Sequence, residues 1–114
     1  MLYRSNKIYV EDSNIHGRGV FASDFIKAGE ILEECHFIPV PQGLEYPDIL
    51  KEHFYSWPKG GPGLAICLGF GSIFNHSDFE FSADWETDSS KNKIIFFALK
   101  DINEGEEIFI NYQK

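Results

Sequence analysis

The chain has 114 residues, room for a single domain, and its 43% hydrophobic and 25% charged residues exclude a disordered polymer. Lys and Arg number 10 against 18 Asp and Glu, a net charge of −8, which argues against unaided binding of nucleic-acid phosphates and favours basic partners. No apolar run reaches the roughly 18 residues of a membrane span. Arg4, Ser5, Asn6 and Lys7 stand where a secretion signal would be apolar, so the chain reads as intracellular and cytoplasmic, or of the host nucleus if viral. Cys35 and Cys67 form no metal-ligand spacing and read as reduced, buried thiols.

In chain order, Ile8 to Glu11 reads as a short strand, followed by the turn-rich Asp12-Ser13-Asn14 and a second strand at Val20-Phe21-Ala22. Lys27 to Glu30 is a turn. Ile31 to Val40 is β-prone, and Pro39 and Pro41 place its end at a sheet edge. One helix is predicted from Pro47, with Ile49, Leu50, His53, Phe54 and Trp57 on one face and Pro58 as its stop. Gly60 to Gly63 is a loop, and Leu64 to Phe70 a buried strand. Phe81 to Trp85 and Lys93 to Leu99 form a hairpin across a turn at Asp88 to Asn92. After a turn around Gly105, Glu107 to Tyr112 alternates as a last strand. The expectation is a mostly-β domain of small sheets, with about nine short strands and one short helix.

Hydrolase triads, metal-ligand clusters and phosphate-loop spacings are all missing from this sequence. Gly17-Arg18-Gly19 alone is only a turn between strands. Three segments taken together carry more: His16-Gly17-Arg18-Gly19-Val20-Phe21-Ala22, Gly69-Phe70-Gly71-Ser72-Ile73-Phe74-Asn75-His76-Ser77, and Gly105-Glu106-Glu107-Ile108-Phe109-Ile110-Asn111-Tyr112. In this order they resemble the SET-domain protein lysine methyltransferases, most closely the minimal viral and bacterial type. The likeness covers nearly the whole chain.

The resemblance implies a SET fold of several small sheets over residues 1–114, without a post-SET segment. It implies methyl transfer from S-adenosyl-L-methionine to a lysine amine, leaving S-adenosyl-L-homocysteine, with no metal. Gly17, Arg18 and Gly19 match the family's first cofactor motif, where bare backbone approaches the methionine part. Asn75 and His76 match its Asn-His pair, the Asn side chain toward the cofactor's amino end and the His backbone toward the adenine edge. Tyr112 matches the terminal catalytic tyrosine. Tyr55 and Trp85 are the candidate walls of the lysine channel, while Glu106 and Glu107 read as structural, and His16, His36 and His53 receive no catalytic role.

Two departures stand out. The family's Pro-Asn after the Asn-His-Ser segment is replaced by Glu80-Phe81, and the chain ends at Gln113-Lys114, with no segment to close the channel. The short viral SET proteins are dimers, so the resemblance implies a homodimer whose second copy closes the site, with Trp57, Phe79 and Trp85 as candidates for its apolar centre. The expected partner is a basic protein or peptide, with no direct nucleic acid and no membrane. Two other readings stay open: a SET-fold module that binds cofactor or a basic partner without transfer, and an acidic, aromatic-rich β domain that binds peptides or sugars.

Overall fold

A computed structural model describes residues 2–111. It is mostly β, with ten strands among the described residues. Strands β1 (Ile8–Asp12), β2 (Arg18–Ala22), β3 (Ile31–Cys35) and β4 (Phe37–Val40) precede one helical turn, α1 (Asp48–Lys51). Strands β5 (Phe54–Trp57) and β6 (Gly63–Cys67) follow. A 3₁₀ turn (Gly69–Ser72) then leads into β7 (Asn75–His76), β8 (Ala83–Asp88), β9 (Lys93–Ala98) and β10 (Glu107–Ile110).

The larger sheet runs β1-β2-β10-β8-β9-β3, with β7 also paired to β10, and the smaller runs β4-β6-β5. The predicted hairpin is present as β8 and β9, antiparallel from Ala83 opposite Ala98 to Asp88 opposite Lys93. Pro39 does lie on an edge strand, β4, where its missing N–H interrupts no inner ladder. In β10, Ile108 and Ile110 are buried while Glu107 and Phe109 are half-buried, the period-2 alternation of a strand with one core face. Val20, Phe96, Trp85, Ile94 and both β10 isoleucines share one core cluster. Each such side chain contributes about 1.5–3 kcal/mol by leaving water.

The predicted helix from Pro47 to Trp57 is corrected. Helix ends at Lys51, and Phe54–Trp57 pairs antiparallel with β6, Phe54 opposite Ile66 and Trp57 opposite Gly63. The apolar spacing that suggested a helical stripe belongs to a lone turn followed by an aromatic strand. Aromatic residues favour the pleated surface when a partner strand is available. The 58–62 segment between them is the hairpin connection of β5 and β6. The predicted strand Leu64 to Phe70 also ends early, at Cys67, because Gly69 takes a φ of +73° and opens the 3₁₀ turn.

That turn leads directly to Asn75 and is pinned from three sides. Glu33, 2% exposed, accepts the Phe70 N–H at 2.9 Å through Oε1 and the Arg4 Nε–H at 2.5 Å through Oε2. Tyr55 donates its hydroxyl to the Gly71 carbonyl at 2.7 Å. Both cysteines are free and buried beside Gly71. A hydrogen bond with Cys35, together with burial, pushes the Cys67 thiol well above its ordinary range.

A methyl group on Gly71 would stand 2.7 Å from Cys67 Cβ, 2.9 Å from a Phe96 ring carbon and 3.0 Å from Cys35 Sγ. Gly71→Ala is therefore expected to cost about 1–3 kcal/mol by overpacking, read as a lower urea midpoint at unchanged slope. A midpoint equal to wild type would show that the turn yields to the methyl group at no cost.

Candidate cofactor site

Strand β10 pairs with both strands that carry the sequence motifs. Its first half runs antiparallel to β2, Glu107 opposite Phe21 and Ile108 opposite Val20. Its second half runs parallel to β7, Phe109 opposite Asn75 and Ile110 opposite His76. The sheet thus brings Gly17–Gly19, Asn75–His76 and the end of β10 together.

The first motif closes the β1–β2 hairpin. Gly17 sits at φ +51°, and its carbonyl accepts the Ser13 N–H at 2.8 Å. Ser13 Oγ accepts the N–H groups of Ile15 and His16 at 3.0 and 3.3 Å, a side-chain-closed turn. Arg18 is exposed and contributes its backbone: its carbonyl accepts from Asn75 Nδ2 at 3.2 Å. Gly19 is buried. A Cβ there would stand 2.2 Å from Glu107 Oε2 and 3.1 Å from Asn75 Nδ2, so only glycine leaves space for both side chains.

Asn75 is buried, and its Nδ2 has three acceptors: the His16 carbonyl at 3.1 Å, the Arg18 carbonyl and Glu107 Oε2 at 2.7 Å. The other Glu107 oxygen accepts the Ser13 hydroxyl at 2.7 Å. His76 is half-buried, and its Nε2 lies 2.8 Å from Asp78 Oδ1. Where the family has Pro-Asn, Ser77 Oγ accepts the N–H groups of Phe79 and Glu80 at 3.3 and 2.9 Å. This hydroxyl closes the turn that proline would otherwise set.

Asn75 and His76 face a cavity of about 430 Å³, walled by Ile15, His16 and Phe74 with Lys51 to Phe54. That size suits a small organic molecule. His53, given no role from sequence, lines it, and its Nδ1 is buried without a hydrogen-bond partner among the described residues.

Tyr55 and Trp85 are not on this cavity's wall. They are 1% and 0% exposed and pack edge to face with ring centroids 4.8 Å apart. Trp85 Nε1 is likewise buried without a partner among the described residues. Of the three aromatics considered for an interface, Trp85 is core and Trp57 packs on Phe37 at 4.1 Å, while Phe79 is 92% exposed. Tyr112 lies outside the described residues.

Ser13 and Glu107 are the site members that sequence reasoning missed as such. Glu107 was read as structural, and its contact with Asn75 spans 32 residues, so no local spacing signals it.

The SET domain family model matches residues 17–113. The chain belongs to the SET domain family, and with it to the class of protein-lysine methyltransferases. It is 35% identical over 108 residues to a Schizosaccharomyces pombe histone-lysine N-methyltransferase described as specific for H3 lysine-37, covering 90% of this chain and 71% of the relative. Among solved structures, a candidate histone methyltransferase of Plasmodium falciparum superposes with a TM-score of 0.76 at 32% identity, covering 95% of this chain and 94% of that one. A humanized mutant of the Chaetomium thermophilum Polycomb Repressive Complex 2 shares the fold, with a TM-score of 0.71 at 22% identity over 96% of this chain and 15% of that one.

Gly19→Ala should push the Glu107 carboxylate off Asn75 and so remove the nearest of the three acceptors of its side-chain amide. The Asn75 amide protons, held by three acceptors in the wild type, should then exchange with solvent much faster by NMR. Unchanged protection would mean that the carboxylate relocates without disturbing Asn75.

Proposed function

We propose that the chain transfers a methyl group from S-adenosyl-L-methionine to a lysine amine of a basic protein. The carrying observation is that His16, at the head of the glycine hairpin, and Asn75 and His76 meet on one cavity, with the hairpin and β7 both paired to β10. The unpartnered His53 nitrogen in the cavity wall fits a ligand rich in polar edges.

When bound, the cofactor supplies the electrophilic methyl and a neighbouring positive sulfonium. The chain's own residues do the rest. Asn75 lines the cavity with its nitrogen held by three acceptors, which leaves its amide oxygen suited to an ammonium donor. The backbone of Arg18 and His76 provides the flat polar edges of the two motif strands. The lysine must arrive neutral, although its ordinary pKa is about 10.4. A dry aromatic channel favours that form; Tyr55 and Trp85, being core, do not line it. Tyr112, from the family likeness, is assigned to orient the amine. Holding the two reactants in line supplies much of the rate. The net charge of −8 supports a lysine in a basic setting such as a histone tail, the substrate type named for the fission-yeast relative.

Titration calorimetry in chelator should show saturable binding of S-adenosyl-L-methionine or S-adenosyl-L-homocysteine, and Asn75→Ala should weaken it by about tenfold, as loss of a buried polar contact does. Mass spectrometry of basic proteins incubated with labelled cofactor should show methylated lysine. Binding without transfer would leave a cofactor-holding module, and absence of binding would remove the proposal. Tyr112→Phe should abolish most turnover at near-constant cofactor affinity, the pattern of a group used mainly in the transition state. Wild-type turnover in that variant would make Tyr112 a packing ring.

A homodimer belongs to the same proposal, supported by the exposure of Phe79. Light scattering at micromolar concentration should give the mass of two chains. The mass of one chain would remove the dimer without touching the chemistry.

A further inference from the structure

The Asn75 amide is held more tightly than a turn requires. Its nitrogen has two hydrogens and three oxygens within 3.2 Å, the nearest being the Glu107 carboxylate. Three acceptors around one atom fix it as the nitrogen and leave Oδ1 as an acceptor without a donor among the described residues, on a residue that lines the cavity. Glu107 is locked in turn by the Ser13 hydroxyl on its other oxygen. Among the described residues no Lys, Arg or His forms an ion pair with Glu107, whereas Glu30, Glu33 and Glu34 each have a cationic partner. Gly19 lacks the Cβ that would displace this carboxylate.

An amide that donates to a carboxylate becomes a stronger acceptor at its oxygen, because hydrogen bonds in a chain polarise one another. A half-buried negative charge one amide away from a cavity also favours a cation there. An uncharged hydrogen-bonding side chain would satisfy the turn equally well. Only the charge is left without a use inside the fold.

We propose that Glu107, itself held by Ser13, is a positioning residue that orients and polarises the Asn75 amide to receive the ammonium of the cofactor's amino-acid end. The proposal rests on the cofactor reading above and deepens it by naming the group that sets selectivity for that end. Glu107 does not touch the ligand. Its charge acts through Asn75 and should therefore matter only for ligands that carry the ammonium.

Two ligands separate this role from a structural one. S-adenosyl-L-homocysteine carries the amino-acid end, and 5′-methylthioadenosine has the same nucleoside and sulfur without it. Glu107→Ala should weaken S-adenosyl-L-homocysteine by about tenfold or more in calorimetry, the scale of a charge-assisted hydrogen bond. Affinity for 5′-methylthioadenosine, measured directly or by competition, should stay within about twofold. Glu107→Gln keeps the shape and, through its amide oxygen, the bond from Asn75, but it loses the charge and the acceptor for the Ser13 hydroxyl, so it should show a smaller loss than alanine with the same selectivity; it carries the test if the alanine variant fails to fold. Ser13→Ala should fall between Glu107→Gln and wild type. Equal loss for both ligands would make Glu107 structural, and unchanged S-adenosyl-L-homocysteine affinity would remove its role altogether; either result overturns the inference alone. A wild-type protein that binds neither ligand would overturn the cofactor reading on which it rests.

Discussion

Everything at the site depends on β10 pairing with both motif strands. Its antiparallel ladder to β2 and its parallel ladder to β7 follow one another along a strand only four residues long, while β8 takes the opposite edge. Glu107 begins that strand and reaches across to Asn75, so the side-chain bond ties the same three segments that the backbone ladders join. A residue added or lost in β10 would flip Ile108 and Ile110 out of the core and turn Glu107 away from the site. Core packing and site geometry are thus set by one register.

The chemistry follows from what this knot leaves free. The donors of Asn75 are consumed, whereas its acceptor meets no donor among the described residues. Backbone contributes where side chains are absent at Gly17 and Gly19, and where the side chain is exposed, as in Arg18. Family membership joins this geometry to methyl transfer, a reaction that asks for alignment and dryness. The smaller sheet supports the first requirement: Tyr55 of β5 packs on Trp85 in the core, and its hydroxyl anchors the turn leading to Asn75.

The three motifs were legible because each is a local run whose residue types do their work through backbone or short side chains. Their order along the chain carried the family likeness, and the family match over residues 17–113 bears it out. Most strands were legible too, since β8, β9 and β10 alternate cleanly and are bounded by turn residues. The stretch from Pro47 to Trp57 was misread because the choice between helix and strand there is made by β6, which lies outside the window. Glu107 was read as a turn-and-strand residue for the same reason: its partner is 32 positions away, and nothing near it in sequence marks the contact. The replacement of Pro-Asn by Glu80-Phe81 looked like a lost turn, yet Ser77 closes that turn with its hydroxyl.

The central claim is that Asn75, His76 and the glycine hairpin form a cofactor pocket around β10. A crystal structure of the protein grown with S-adenosyl-L-homocysteine tests it most directly. The account predicts the ligand in the cavity between His16, Asn75 and His76 on one wall and His53 and Phe54 on the other, with its ammonium on Asn75 Oδ1. A ligand bound elsewhere, or one in this cavity with its ammonium away from Asn75, would contradict it.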